Sequence, residues 1–419
     1  MCKIMQSVLQ LIVGMLCARY LGPSNYGIIN YAASVLAFFL PVMRLGLKDT
    51  LVHELIKDPD HEGQIMGTAL VMNVISSLLC MLTVYGFVSV VNKADSVKII
   101  VCVLYSISLF FGALEMIQYW FQYKLESKYP SIVMLVSYVV VSAYRIYLLV
   151  TAKSIYWFAV TNSIDYGLIG ISLIVIFLLK GQRFSFSFSK MKSMLHVSKN
   201  YIAASLMVVV FQSTDHVMLS TIVGVEENGF YSAAITCATV AQFVYVAIVD
   251  SVRPVILSNK KENSSDYEKN MSRLYCIILY LAVAQSIGFT IFADLVVKLL
   301  YGAEYAPAAN ILRVQCWYFV FSCMGVVRNV WILAEQKQKY LWVINLAGAL
   351  ANVLLNLLLI PVLGAIGASL ASLATQFFAN FVMGYIIKPI RPNNKLLLAG
   401  LNPVFFFKEI KTFRKMLRR

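Results

Sequence analysis

The sequence predicts an all-α polytopic membrane protein of about twelve transmembrane helices. Three observations carry that expectation. Hydrophobic residues make up 60% of the 419 and charged ones 13%, with a mean hydropathy of +0.76, far outside the range of soluble domains. The apolar residues fall in runs of roughly 18 to 27, enough to cross a ~30 Å hydrocarbon layer at ~1.5 Å per residue. Lysine and arginine are also placed asymmetrically. If both termini face the cytosol, the outward segments hold only Arg19, Lys93, Lys98, Lys153 and Lys298. Apart from Arg145 and Arg313, which fall inside spans, every other Lys and Arg then lies on the cytosolic side, as the positive-inside bias requires.

Taken in order, the spans run over about 4–20, 26–47, 65–91, 97–121, 130–151 and 155–179 in the first half. In the second half they run over about 201–223, 229–252, 273–299, 307–333, 340–362 and 365–387. Met1–Cys17 carries only Lys3 as a charged region and no small-x-small cleavage site, so it reads as a short first span rather than a signal peptide. A span this short is consistent with a start site upstream. Leu51–Lys57 has helical spacing and is expected on the membrane surface. Phe184–Ser189 (FSFSFS) alternates like a strand and reads as an interfacial connector. Leu396–Phe407 is too short to span, and Phe405–Arg419 reads as a basic amphipathic helix on anionic lipid or as a solvated tail. The expected organisation is a six-helix lobe over 1–180, a cytosolic linker over 181–200, a second six-helix lobe over 201–388 and a basic tail over 389–419.

An internal echo supports two lobes. Gly22-Pro-Ser-Asn-Tyr-Gly27 and Gly224-Val-Glu-Glu-Asn-Gly229 each place two glycines between apolar runs, followed by small residues. The offset from Gly22 to Gly224 is 202 residues. Six spans per half is an even number, so the halves would insert in the same orientation, related by an axis along the membrane normal.

Several function classes find no support. The net charge of +15 lies in loops and tail, where orientation explains it, and no basic patch is interleaved with a soluble domain, so nucleic-acid binding is not expected. The eight cysteines sit in apolar runs without CxxC spacing, and the four histidines form no ligand pair. Neither metal nor cofactor is expected.

Four stretches carry a family resemblance: Ser213–Ala234 (STDHVMLSTIVGVEENGFYSAA), Arg19–Gly27 (RYLGPSNYG), Leu299–Ala309 (LLYGAEYAPAA), and Ile332–Lys339 with Asn352–Ala371 (ILAEQKQK; NVLLNLLLIPVLGAIGASLA). In combination they resemble the Wzx-type oligosaccharide flippases, of the superfamily that includes multidrug extruders of the MATE kind. The resemblance implies a MATE-like bundle in the bacterial plasma membrane. It also implies alternating-access export of an undecaprenyl-diphosphate-linked oligosaccharide for O-antigen, capsule or exopolysaccharide. The chain departs from some relatives in having twelve expected spans where they have fourteen.

Charged residues inside spans are the candidate functional groups, because each costs about 3 kcal/mol at mid-bilayer unless a partner or water receives it. Arg44, Arg145, Arg253 and Arg328 are candidate diphosphate ligands, since guanidinium forks match phosphate oxygens and stay charged. The bland alternative for Arg44, Arg253 and Arg328 is orientation or snorkelling at cytosolic ends. For Arg145 it is a structural pair with Asp165. Asp215 and Asp165 are candidate couplers to a proton or sodium gradient, with interhelical hydrogen bonding as the rival reading. Asp215 is expected across from Arg145, in a polar patch with Gln212, Ser213, Thr214 and His216. A transporter rather than an enzyme is expected. The rivals are a cation-coupled multidrug extruder of the same fold and a membrane glycan polymerase.

Overall fold

Runs of Leu, Val, Ile and Phe whose backbone cannot bond to lipid have to bond to themselves, and helices are the open-chain solution. The computed structural model describes residues 2–93, 95–240, 242–261 and 266–403, and among them the regular elements are all helical. Helices α1 (Cys2–Met43), α2 (Leu47–Lys57), α3 (Glu62–Val91), α4 (Ser96–Leu114), α5 (Gln118–Tyr123), α6 (Lys128–Val150), α7 (Ile155–Leu179) and α8 (Phe188–Ile222) come first. Then follow α9 (Val225–Thr239), α10 (Gln242–Lys261), α11 (Asp266–Tyr301), α12 (Ala308–Ala334), α13 (Leu341–Phe377), a π-helix at Phe378–Val382, α14 (Met383–Ile386) and α15 (Arg391–Leu401). Nine stretches of the described residues are long and apolar enough to cross a membrane. Two of them contain breaks where one expected span ends and the next begins. α1 passes through Gly22 at φ 70°, and α13 through Gly364 at φ 57°, both backbone conformations that disfavour a Cβ. The 35-residue α8 covers the expected seventh span but is not among the nine.

Contacts divide the chain into two compact units, Met1–Gly229 and Phe230–Arg419. Residues 201–229, expected in the second lobe, therefore pack with the first unit. In that unit one core gathers Tyr31, Val84, Val88, Val101 and Ala159, and another gathers Leu51, Leu55, Trp120, Phe121 and Phe177. Leu51 and Leu55 are fully buried while Ile56 is exposed. So α2 turns its apolar stripe onto the protein core, where each buried leucine is worth about 1.5–3 kcal/mol over exposure to water. Of the Phe184–Ser189 connector, residues 184–187 form no regular element, and Phe188 and Ser189 already open α8 with Ser187 extended as its N-cap. The Ser185 amide donates to the Gly63 carbonyl at 3.1 Å, and the Ser187 amide to Thr68 Oγ1 at 2.9 Å, both on α3.

The echoed glycine turns meet. A Cβ on Gly27 would overlap the Val225 carbonyl oxygen, and one on Gly229 would overlap that of Pro23. The 202-residue offset carries Pro23 to Val225 and Gly27 to Gly229, so the two contacts exchange under the repeat. Asn228, fully buried, donates from Nδ2 to the Gly27 carbonyl at 3.0 Å across the same junction.

In the second unit the core gathers Tyr275, Ile278, Leu279, Val327 and Trp331 on α11 and α12. Part of the expected tail belongs to it. α15 packs on α11, with Tyr275 donating to Asn393 Oδ1 at 2.9 Å and Tyr280 to the Leu401 carbonyl at 3.0 Å. The basic segment Phe405–Arg419 lies outside the described residues. Leu82, Val90, Leu358 and Val362 are exposed, a lipid-facing pattern for helices this apolar.

Candidate functional site

Polar residues at helical spacing on two neighbouring helices build a cavity in the first unit. On α6, Tyr138, Ser142 and Arg145 fall on one face, and on α7, Asn162, Asp165 and Tyr166 do the same. The cavity between them encloses about 260 Å³. Ser137 donates to Asp165 Oδ1 at 2.6 Å, and Asn162 Nδ2 donates to the Tyr105 hydroxyl at 2.6 Å. The Arg145 guanidinium donates to Thr161 Oγ1 at 3.5 Å, the outer limit of a hydrogen bond, and forms no ion pair with a carboxylate of the described residues. Beside this cavity lies a narrower cleft containing Arg44, Lys48, Asn73 and Gln118. Arg44 Nη2 donates to Glu115 Oε2 at 3.1 Å.

The other expected site residues lie elsewhere. Arg253 pairs with Asp250 one turn away at 3.0 Å on α10, both side chains about half exposed. Arg328 is buried on α12 and donates from Nη1 to the Ala379 carbonyl of the π-helix at 2.8 Å, with its Nε unpaired. Its guanidinium is engaged by backbone and borders neither cavity. Asp215 is buried on α8 next to His216, whose Nδ1 meets Asn228 Oδ1 at 2.7 Å in the glycine junction. The acids that line a cavity with Arg145 are Asp165 and Glu115, not Asp215, because α7 rather than α8 lines the face of α6 that carries Arg145.

The sequence model for polysaccharide biosynthesis proteins matches residues 16–310. The chain belongs to that family. No curated protein matches it. Among solved structures, this polysaccharide biosynthesis protein is similar to the lipid II flippase MurJ in an inward closed conformation, at 15% identity and a TM-score of 0.74, covering 98% of this chain and 92% of that one. It is also similar to an inward-facing multidrug resistance MATE transporter of the MOP superfamily, at 13% identity and a TM-score of 0.73, covering 93% and 95%. A third likeness is to the MATE transporter VcmN of Vibrio cholerae in its bent form, at 15% identity and a TM-score of 0.52, covering 94% and 99%. The MATE-like fold expected from the sequence is therefore the fold of this polysaccharide biosynthesis protein.

Three residues of the site gain a place that ranking intramembrane charges one at a time does not give them. Glu115 sits near a span end, where an acid is unremarked, and only its place beside both Arg44 and the Arg145 cavity singles it out. Asn162 and Tyr166 carry no charge. A signal was present in their spacing, since Asn162, Asp165 and Tyr166 make one polar stripe on an otherwise apolar helix.

Proposed function

We propose that this polysaccharide biosynthesis protein flips a polyprenyl-diphosphate-linked oligosaccharide from the cytoplasmic to the outer leaflet of the bacterial plasma membrane. The observation that carries the reading is Arg145, a guanidinium within an apolar span that faces a polar cavity and, among the described residues, has no carboxylate within ion-pair distance. A permanent charge in such a place is costly unless an anion or water meets it. Phosphate oxygens are the anions a planar fork receives best. Family membership and the transporter fold agree with it.

In this reading the diphosphate is taken from the cytosolic leaflet at Arg44 and Lys48, and Arg145 holds it deeper in the span. Hydroxyl and amide groups of Tyr138, Ser142, Asn162 and Tyr166 accept or donate to the first sugars. A proton or sodium ion drives the cycle, with Asp165 or Asp215 as the coupling acid, and the two halves alternate access to the leaflets. Arg253 and Arg328 have weaker claims, the first being paired and exposed and the second bonded to backbone.

The test is genetic. Deletion should abolish surface polysaccharide, the wild-type gene should restore it, and Arg145→Ala at equal membrane abundance should not. Normal polysaccharide in a deletion strain without a redundant transporter would sink the reading. The two carboxylates of the cavity, Glu115 and Asp165, favour one rival, a multidrug extruder for cationic compounds. Hypersensitivity of the deletion strain to cationic drugs, with intact polysaccharide, would select it.

A further inference from the structure

Glu115 occupies an unusual position for a side chain that the transport reading leaves without a role. Among the described residues it alone borders both the Arg44 cleft and the Arg145 cavity. Its carboxylate holds Arg44 at 3.1 Å and is largely buried, with 14% of the side chain exposed against 34% for Arg44. It also opens a 3-10 turn, Glu115–Ile117, that interrupts the helix between α4 and α5 inside a single apolar stretch. Such mid-helix breaks mark places where a chain can move.

We propose that Glu115 is a charge gate that sets which anionic headgroups can reach the arginines. This rests on the diphosphate-lipid reading and adds a selectivity mechanism to it. A site that collects a lipid headgroup from a bilayer is surrounded by ordinary phospholipids, whose phosphodiesters each carry one negative charge. Exchanging the Glu115 carboxylate for such a group on Arg44 replaces one single-charged acceptor with another, so the exchange is close to neutral and Glu115 retains the guanidinium. A diphosphate diester carries two negative charges on adjacent phosphoryl groups. It can take Arg44 from Glu115 with one group and meet Lys48 or Arg145 with the other, so it wins an exchange that a phosphodiester does not. Like-charge repulsion between Glu115 and an incoming anion applies the same filter before contact. Glu115 is thus a specificity-determining residue, and the cost of rejecting phospholipid is some affinity for the proper substrate.

The experiment uses the full-length protein in a neutral detergent and measures binding of two probes by calorimetry. These are inorganic pyrophosphate and dimethyl phosphate, the latter a singly charged phosphodiester. Wild type should prefer pyrophosphate. Glu115→Gln should bind dimethyl phosphate more tightly and narrow the preference by about two- to fivefold, the range a partly exposed ion pair supplies. Glu115→Asp should retain the wild-type preference, and Arg44→Ala in the Glu115→Gln background should cancel the gain. A Glu115→Gln protein that melts at a lower temperature but keeps the wild-type preference overturns the gate and leaves the diphosphate reading standing. If neither wild type nor any variant binds pyrophosphate, the diphosphate reading fails and the gate fails with it.

Discussion

Arg145 and Arg328 show how little a buried arginine says until its partners are known. Arg145 meets a cavity and a single hydroxyl, whereas Arg328 is anchored on the Ala379 carbonyl at 2.8 Å. Hydrogen bonds from a charged donor are worth about 1.5–3 kcal/mol each. Arg145→Ala should therefore lower transport by at least an order of magnitude with little change in melting temperature, and Arg145→Lys should recover part of it, as measured by export of labelled polysaccharide. Arg328→Ala should act on folding instead. It removes a large buried side chain and orphans a π-helix carbonyl, for a loss of about 3 kcal/mol, visible as a lowered melting temperature in detergent. Arg253→Ala, from an exposed pair one turn apart, should change stability by less than about 0.5 kcal/mol.

At the scale of elements, the glycine turns decide how closely helices approach. Gly229→Ala places a methyl group on the Pro23 carbonyl, whereas Gly288 on α11 has open space where a Cβ would stand. Gly288→Ala should be neutral or stabilising by up to about 1 kcal/mol in a helix, and Gly229→Ala should reduce the yield of folded protein; fluorescence-detected gel filtration compares the two. A second element-scale contact ties the end of α2 to the start of α8. Asp58 accepts from Lys190 and from His61, the latter at 2.8 Å. These bonds, with Lys190 the larger cause, hold its carboxyl below the usual carboxylate range. A depressed folded value means the contact stabilises fully above the unfolded value of about 3.9 and is lost as pH falls toward the folded one. Melting curves between about pH 5 and pH 3 should accordingly fall less steeply for Asp58→Asn than for wild type.

At the scale of the whole molecule, a polymerase and a carrier of the same glycan differ in what leaves the membrane. Purified protein in liposomes should move a lipid-linked glycan across the bilayer without changing its chain length, and lengthening of the glycan would favour the enzyme. The sequence alone determined the class, because crossing a bilayer demands long apolar helices, and their lengths and breaks at Gly22 and Gly364 can be read one residue after another. It also displays the echo of two glycine-bracketed turns 202 residues apart, from Gly22 to Gly224. The pairing of side chains was decided only in three dimensions. Arg145 shares a cavity with Asp165 because α6 packs on α7, Arg44 is held by Glu115 across 71 positions of chain, and Arg328 is bonded to a π-helix carbonyl 51 positions away. A charge inside a span announces that something must neutralise or hydrate it, but the neighbour comes from another helix, and which helix that is depends on packing rather than on hydropathy.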